Sequence, residues 1–245
     1  MCGRYVLKRK DLEALMAQLG VKDPREFVSR YNIAPTTVVP AIRIRQHTGD
    51  REAVGLQWGL VPFWSKDATA GARLANARAE GIAAKPSFRA AFRHRRCLVP
   101  ASGFYEWQTV GKQKFPWYFQ LRDESPLILA GLWEHWRGAD GVELETCSLI
   151  TTTANSVVGA LHDRMPVVLR GTAIETWLDP ATEDPTRLEP LLAPLPGELM
   201  QATPVSPRMN NVRHESPDCI DPVPPPVATP ATAKEDDPQL PLGLG

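Results

Sequence analysis

The sequence predicts an α+β fold held in one main domain. Three observations lead there. Strand-like segments dominate residues 97–169, whereas helix-like periodicity is confined to three or four short stretches. Strands and helices do not alternate in regular βα units, which argues against a doubly wound parallel sheet. No internal repeat is present, and 245 residues suffice for a proper core.

Tyr5–Leu7 reads as a short strand. Residues 10–19 read as a helix because Leu12, Leu15, Met16 and Leu19 recur at helical spacing, with Gly20 as the stop. Residues 41–45 alternate as a half-exposed strand does, and residues 53–59 form a second candidate ending in Trp58-Gly59. An Ala-rich stretch follows, and residues 87–92 suit a short helix. Strands are expected at 97–100, 104–108, 116–121, 127–133, 146–151 and 166–169. Helices are expected at 172–178 and 186–192, and a last strand at 199–205. The folded domain is placed at residues 1–220. Residues 221–245 carry seven of the 24 prolines, a charge of −3 and almost no periodicity, so a disordered acidic tail is expected.

Composition narrows the function classes. The hydrophobic fraction is 43% and the charged fraction 23%, ordinary for a globular protein. No apolar run approaches the ~20 residues of a membrane helix, and Met1 to Tyr5 lack a secretory pattern. A cytoplasmic protein is expected. Cys2, Cys97, Cys147 and Cys219 are far apart with no CxxC pair, which argues against a disulfide framework or a zinc site. Neither a phosphate-binding Gly loop nor a metal constellation is present, so no cofactor is expected. The net charge of +0 hides an asymmetry: residues 1–100 hold 18 Lys and Arg against 8 Asp and Glu, a balance of +10, and the remainder mirrors it at −10. A basic half can attract a polyanion if its charges share a face.

Chemistry begins at Cys2. Met1 precedes a small residue, so its removal would leave an α-amine and a thiol on adjacent carbons. Both groups have useful reactive fractions near neutrality. The special partner of such a 1,2-aminothiol is an aldehyde. The amine forms a Schiff base, and the thiol closes on the same carbon to give a thiazolidine. Three further segments supply polar groups. Asn76 stands in the small-residue run 74–80. Glu106 lies between Tyr105 and Trp107 just after Ser102-Gly103, where desolvation would raise its pKa as a general acid requires. His162 lies in Leu161-His162-Asp163-Arg164-Met165-Pro166. Taken singly each has a structural reading: Asn76 closing a loop, Glu106 facing solvent from a strand, His162 hydrogen-bonded in place.

Together the motifs form an ordered set: Met1-Cys2-Gly3-Arg4-Tyr5, Tyr31-Asn32-Ile33-Ala34-Pro35, Trp58-Gly59-Leu60-Val61-Pro62, Asn76-Ala77-Arg78-Ala79-Glu80, Ser102-Gly103-Phe104-Tyr105-Glu106-Trp107 and His162-Asp163-Arg164-Met165-Pro166. The set resembles the SRAP family of abasic-site processing proteins from Cys2 to about Asn211. The resemblance implies a curved, partly barrel-like antiparallel sheet with flanking helices and a positive channel across one face. It implies binding of single-stranded DNA and covalent capture of an abasic site, with Cys2 as nucleophile. Asn76 would position the amine and thiol, Glu106 would assist proton transfer, and His162 would contact the opened sugar.

DNA contacts are expected from Arg4, Arg78 and Arg164, since they sit inside the motifs beside the chemical residues and guanidinium suits phosphate. The same motifs offer Asn32, Met165 and Pro166. Trp64 is a candidate stacking platform for a base. Family members can carry paired tryptophans there, whereas this chain has Phe63-Trp64-Ser65. Trp58, Trp107 and Trp133 are expected in the core. Arg93-His94-Arg95-Arg96 suits either flanking DNA or a solvated turn. In the tail, Gln239, Leu240, Leu242 and Leu244 form a pattern that resembles the peptide docking onto a bacterial sliding clamp. A monomer is expected. Two other function classes use the same residues: an N-terminal-nucleophile thiol autopeptidase, and a non-covalent single-strand binder that would not need Cys2.

Overall fold

The computed structural model describes residues 2–22, 27–45 and 47–226. The strands are β1 (Tyr5–Leu7), β2 (Arg30–Ile33), β3 (Val38–Ile44), β4 (Arg51–Trp58), β5 (Asn76–Arg78), β6 (Arg96–Ala101), β7 (Gly103–Val110), β8 (Gln113–Leu121), β9 (Leu127–Arg137), β10 (Glu143–Thr153), β11 (Arg164–Pro166) and β12 (Met200–Pro204). The helices are α1 (Arg9–Gln18), α2 (Arg89–His94), α3 (Thr172–Leu178) and α4 (Pro185–Leu188).

Two sheets organise them. One has the order β12-β8-β7-β1-β2 and is antiparallel throughout. In the other, β4, β3, β6 and β9 pair in turn, and β10 closes the ring by pairing with both β9 and β4. Closure removes the sheet edges from these five strands. The expected antiparallel character holds except at β10, which runs parallel to β4 and β5. The far end of β10 carries β5 on one side and β11 on the other: Thr151 is opposite both Arg78 and Pro166.

Local sequence accounts for the elements. In α1, Leu12, Leu15 and Met16 are buried on one face. The helix stops where Gly20 takes φ +67. There the N–H of Val21 donates to Met16 O at 2.9 Å and that of Gly20 to Ala17 O at 3.2 Å, a Schellman ending. The helix expected at 186–192 divides into α4 and a 3₁₀ turn, Glu189–Leu192. Pro190 has no N–H for an α-helical bond, so the chain tightens there. The strand β2 was not expected, because Arg30-Tyr31-Asn32-Ile33 alternates over only four residues, too short a run to stand out. It forms at an edge whose N–H groups are met by Glu215, which accepts from Tyr31 and, at 2.9 Å, from Asn32.

Trp58, Trp133 and Trp177 are buried, whereas Trp107 is half-buried and donates to Asn210 at 2.7 Å. Trp58 positions the site. It packs edge-on to Tyr5, and its Nε1 donates to Ala75 O at 2.8 Å, one residue before Asn76. Gly59 (φ +134) and Gly71 lie back to back beside it; a Cβ on Gly71 would stand 2.6 Å from Gly59 O. The basic segment 93–96 is partly structural. Arg96 is buried and donates to the carbonyls of Phe92, Arg93, Trp177 and Asp179, at the C-terminal ends of α2 and α3. Arg95 pairs with Glu134 at 2.7 Å.

Backbone pairing continues past residue 220: Ser206 donates to Asp221 O at 3.2 Å and Val223 to Pro204 O at 2.9 Å. Residues 227–245, with the Gln239, Leu240, Leu242 and Leu244 pattern, lie outside the described residues. No described helix is long and apolar enough to cross a membrane.

Candidate active site

The start of the chain is drawn into the protein by β1. All three residues of β1 are buried, and the strand lies between β7 and β2. Cys2, just ahead of it, is therefore 0% exposed. Its Sγ lies 3.9 Å from Arg4 O. Burial pushes the thiol far up, and the Glu106 charge pushes it further, so Cys2 rests as a neutral thiol.

Three side chains reach this point from three strands or turns. Asn76 opens β5 and donates from Nδ2 to Cys2 O at 2.9 Å. Its Oδ1 is buried and has no partner among the described residues. Glu106 comes from β7. That strand runs antiparallel to β1, with Tyr5 opposite Phe104, so residues past Phe104 run back alongside those before Tyr5. Glu106 is buried, and burial raises its carboxyl above the ordinary 4.5 although His162 pulls the other way. His162 follows the 3₁₀ turn Val158–Ala160 and is part-exposed.

The His162 ring has a defined orientation. Its Nδ1 accepts the backbone N–H of Arg164 at 3.0 Å, and Asp163 Oδ1 lies 3.0 Å from the same nitrogen. The two contacts ask for different protonation states. The backbone donor belongs to the short strand β11, whereas the Asp163 side chain is 85% exposed. Where Nδ1 accepts from Arg164, the ring hydrogen sits on Nε2. The structure thus brings Cys2, Asn76, Glu106 and His162 together: a thiol, an amide, a desolvated carboxyl and an imidazole.

The residues expected to meet DNA divide into two groups. Arg78 is exposed, Phe63 is 59% exposed and Trp64 55%. Their turn is held where Trp136 donates to Ser65 O at 2.8 Å. The exposed Phe63 was missed because only Trp64 was singled out. Arg4 is intermediate, donating to Asn32 Oδ1 at 2.7 Å and Met209 O at 3.1 Å. Asn32, Arg164, Met165 and Pro166 are buried. Asn32 spends its amide on the carbonyls of Met209, Asn211 and His214 at 2.9–3.0 Å. Arg164 holds Glu80 through both terminal nitrogens, at 2.6 and 2.9 Å. These four side chains make their contacts inside the protein, β11 lying on β10 and the Asn32 amide lying under residues 209–214.

Among the described residues, His214, Asp218 and Cys219 form a group of metal-ligand type. It is internally satisfied: His214 Nε2 meets Asp218 at 2.8 Å, Arg208 meets the other Asp218 oxygen at 3.2 Å, and the Cys219 thiol donates to His214 O at 3.4 Å.

The family model described as SOS response associated peptidase (SRAP) matches residues 1–212. The chain is 36% identical over 226 residues to the abasic site processing protein YoqW of Bacillus subtilis, covering 90% of this chain and 99% of that one. It is 34% identical to the abasic site processing protein HMCES of Gallus gallus, covering 79% and 66%. A crystal structure of a Bacteroides thetaiotaomicron protein superposes with a TM-score of 0.81 at 27% identity, covering 91% of this chain and 100% of that one.

Proposed function

The chain belongs to the SRAP family, and on that premise we propose that it captures abasic sites in single-stranded DNA by forming a thiazolidine with Cys2. The observation that carries this reading is the burial of Cys2 beside Asn76, Glu106 and His162. Removal of Met1 supplies the amine. An abasic deoxyribose presents an open-chain aldehyde at C1′. The Cys2 nitrogen adds to that carbon, and loss of one water gives the imine. The thiol sulfur then adds to the imine carbon while a proton reaches the nitrogen. The sum is aldehyde plus aminothiol going to thiazolidine plus water.

The residues suit these proton movements. Cys2 rests as a thiol, so the amine attacks first and the sulfur acts only when a base takes its proton. Glu106, with its raised carboxyl, is suited to give a proton to the departing hydroxyl and take one from sulfur. The Nε2–H of His162 is suited to donate to the opened sugar. Asn76 holds the Cys2 carbonyl and keeps Oδ1 for the freed amine. Ring closure removes the imine that would otherwise activate the neighbouring C–H for strand cleavage. Arg78, with Phe63 and Trp64, supplies the exposed cationic and aromatic surface for the strand. The protein acts as a monomer in the cytoplasm, and its tail pattern would add a sliding clamp as partner. A clamp pull-down that Gln239→Ala and Leu242→Ala leave undiminished, or that fails with the parent, removes that last element.

The primary test is a denaturing gel of protein beginning at Cys2, mixed with single-stranded DNA carrying one abasic site. A heat- and detergent-resistant band, absent for Cys2→Ala and for undamaged DNA, is the expected result. Its absence would reject covalent capture and favour the non-covalent binder. The peptidase wording of the family description supports a second reading, autocatalytic removal of Met1. Intact mass decides it: Met1 must persist in Glu106→Ala or His162→Ala for this reading to stand.

A further inference from the structure

Asn76, beside Cys2, and His162, beside Glu106, stand on opposite sides of β10. Asn76 opens β5, which pairs with residues 149–151 of β10. His162 directly precedes β11, which pairs with residues 151–153. One guanidinium joins the three segments. Arg164 in β11 donates from Nη1 and Nη2 to the two oxygens of Glu80, two residues past β5, and from Nη2 to Thr151 O on β10. The backbone N–H of the same arginine donates to His162 Nδ1 at 3.0 Å.

From this arrangement we propose that Glu80 is a positioning residue, which through Arg164 holds the His162 ring with Nδ1 as acceptor and Nε2–H turned to the reaction. A two-point carboxylate–guanidinium pair fixes angle as well as distance. The Arg164 side chain is only 10% exposed and its Nε is buried without a partner, so Glu80 is the one carboxylate neutralising it among the described contacts. Without Glu80 the guanidinium gains by turning toward water. That rotation drags the backbone at Arg164, and the His162 Nδ1 contact, two residues away, depends on that backbone. With Nδ1 released, nothing at that nitrogen selects between the two tautomers, and only one of them presents Nε2–H.

The activity arm of this inference rests on the covalent-capture reading; a second arm does not. Imidazole ¹⁵N spectra of the parent, Glu80→Gln and Glu80→Ala report the His162 tautomer directly. The parent is expected to show an unprotonated Nδ1, Glu80→Ala an averaged pair, and Glu80→Gln, which keeps one acceptor, an intermediate. Single-turnover crosslinking should slow roughly tenfold in Glu80→Ala, the loss of about 1.4 kcal/mol of transition-state stabilisation, and less in Glu80→Gln. Non-covalent affinity for single-stranded DNA, measured in a Cys2→Ala background, should hold or rise, since a negative charge has gone. An unchanged ring signature, or an unchanged rate in a parent that crosslinks, overturns the proposal. So does tighter binding with a steeper salt dependence and an unaltered ring, which would make Glu80 a competitor for phosphate. A parent that forms no crosslink sinks the capture reading, and the ring spectra still decide the role of Glu80.

Discussion

Replacing Asn32 with alanine separates a structural role from a DNA contact. The Asn32 amide is 1% exposed and shared among three carbonyls, while its oxygen accepts from Arg4 at 2.7 Å. After truncation, Met209 O keeps Arg4 and His214 O keeps the Cys219 thiol. Asn211 O is left needing water or a new partner, at about 1–3 kcal/mol, and Arg4 loses a charge-assisted bond of about 1.5–3 kcal/mol. Arg4 and Asn211 are both partly accessible, so water recovers some of this, and a net loss of ~3 kcal/mol is expected. For a chain of this size each kcal/mol lowers Tm by about 2–4 °C, giving a fall of roughly 6–12 °C by calorimetry. Affinity for single-stranded DNA, measured well below Tm, should change by less than about twofold, because the amide offers nothing to the solvent side. A Tm within about 2 °C of the parent together with a large affinity loss would refute the reasoning and return Asn32 to the DNA surface.

Three further outcomes are expected. Burial raises the Glu106 carboxyl in the folded state, so the folded form binds its proton more tightly and the ionised form costs stability. Glu106→Gln should therefore raise Tm at pH 7–8, with the advantage shrinking as pH falls through the raised value toward 4.5, while crosslinking drops; calorimetry across pH shows the sign. Trp64→Ala should leave Tm unchanged and weaken single-strand binding by about 1–3 kcal/mol in a fluorescence titration, the worth of one stacked base. Gly71→Ala should destabilise by about 1–3 kcal/mol in urea unfolding, since its Cβ meets Gly59 backbone at 2.6 Å.

Regular, one-sided elements were legible from sequence. Residues 172–178 were placed as a helix and found as one, and α1 was found one residue from its expected start. Such segments carry their burial pattern in apolar spacing. The edge strand β2 was not legible, because its stability comes from Glu215 and from Asn32, polar groups whose partners lie about 180 residues away. Cys2 and the three residues around it, Asn76, Glu106 and His162, were legible from ordered motifs, since each motif keeps its local context. Their surroundings were not. Sequence shows that Arg164 is a cation near His162; it does not show a carboxylate from residue 80 closing over it. Hence a charge expected to face phosphate is engaged by Glu80, while Arg78, Phe63 and Trp64 are exposed and Arg4 is part-exposed.

The place of β1 in its sheet sets a clock. Its neighbour on the core side, β7, is made about a hundred residues later. While the ribosome extends the chain at about 5–20 residues per second, the opening residues have no β7 to pair with for on the order of 5–20 s. An enzyme that trims the first residue has that interval in which to reach it. Once β7 arrives, Cys2 is inside, and a chain still untrimmed then depends on the folded site to release its amine. Faster elongation or scarce trimming activity would then leave a fraction of molecules folded but blocked, a defect written during synthesis rather than in the sequence.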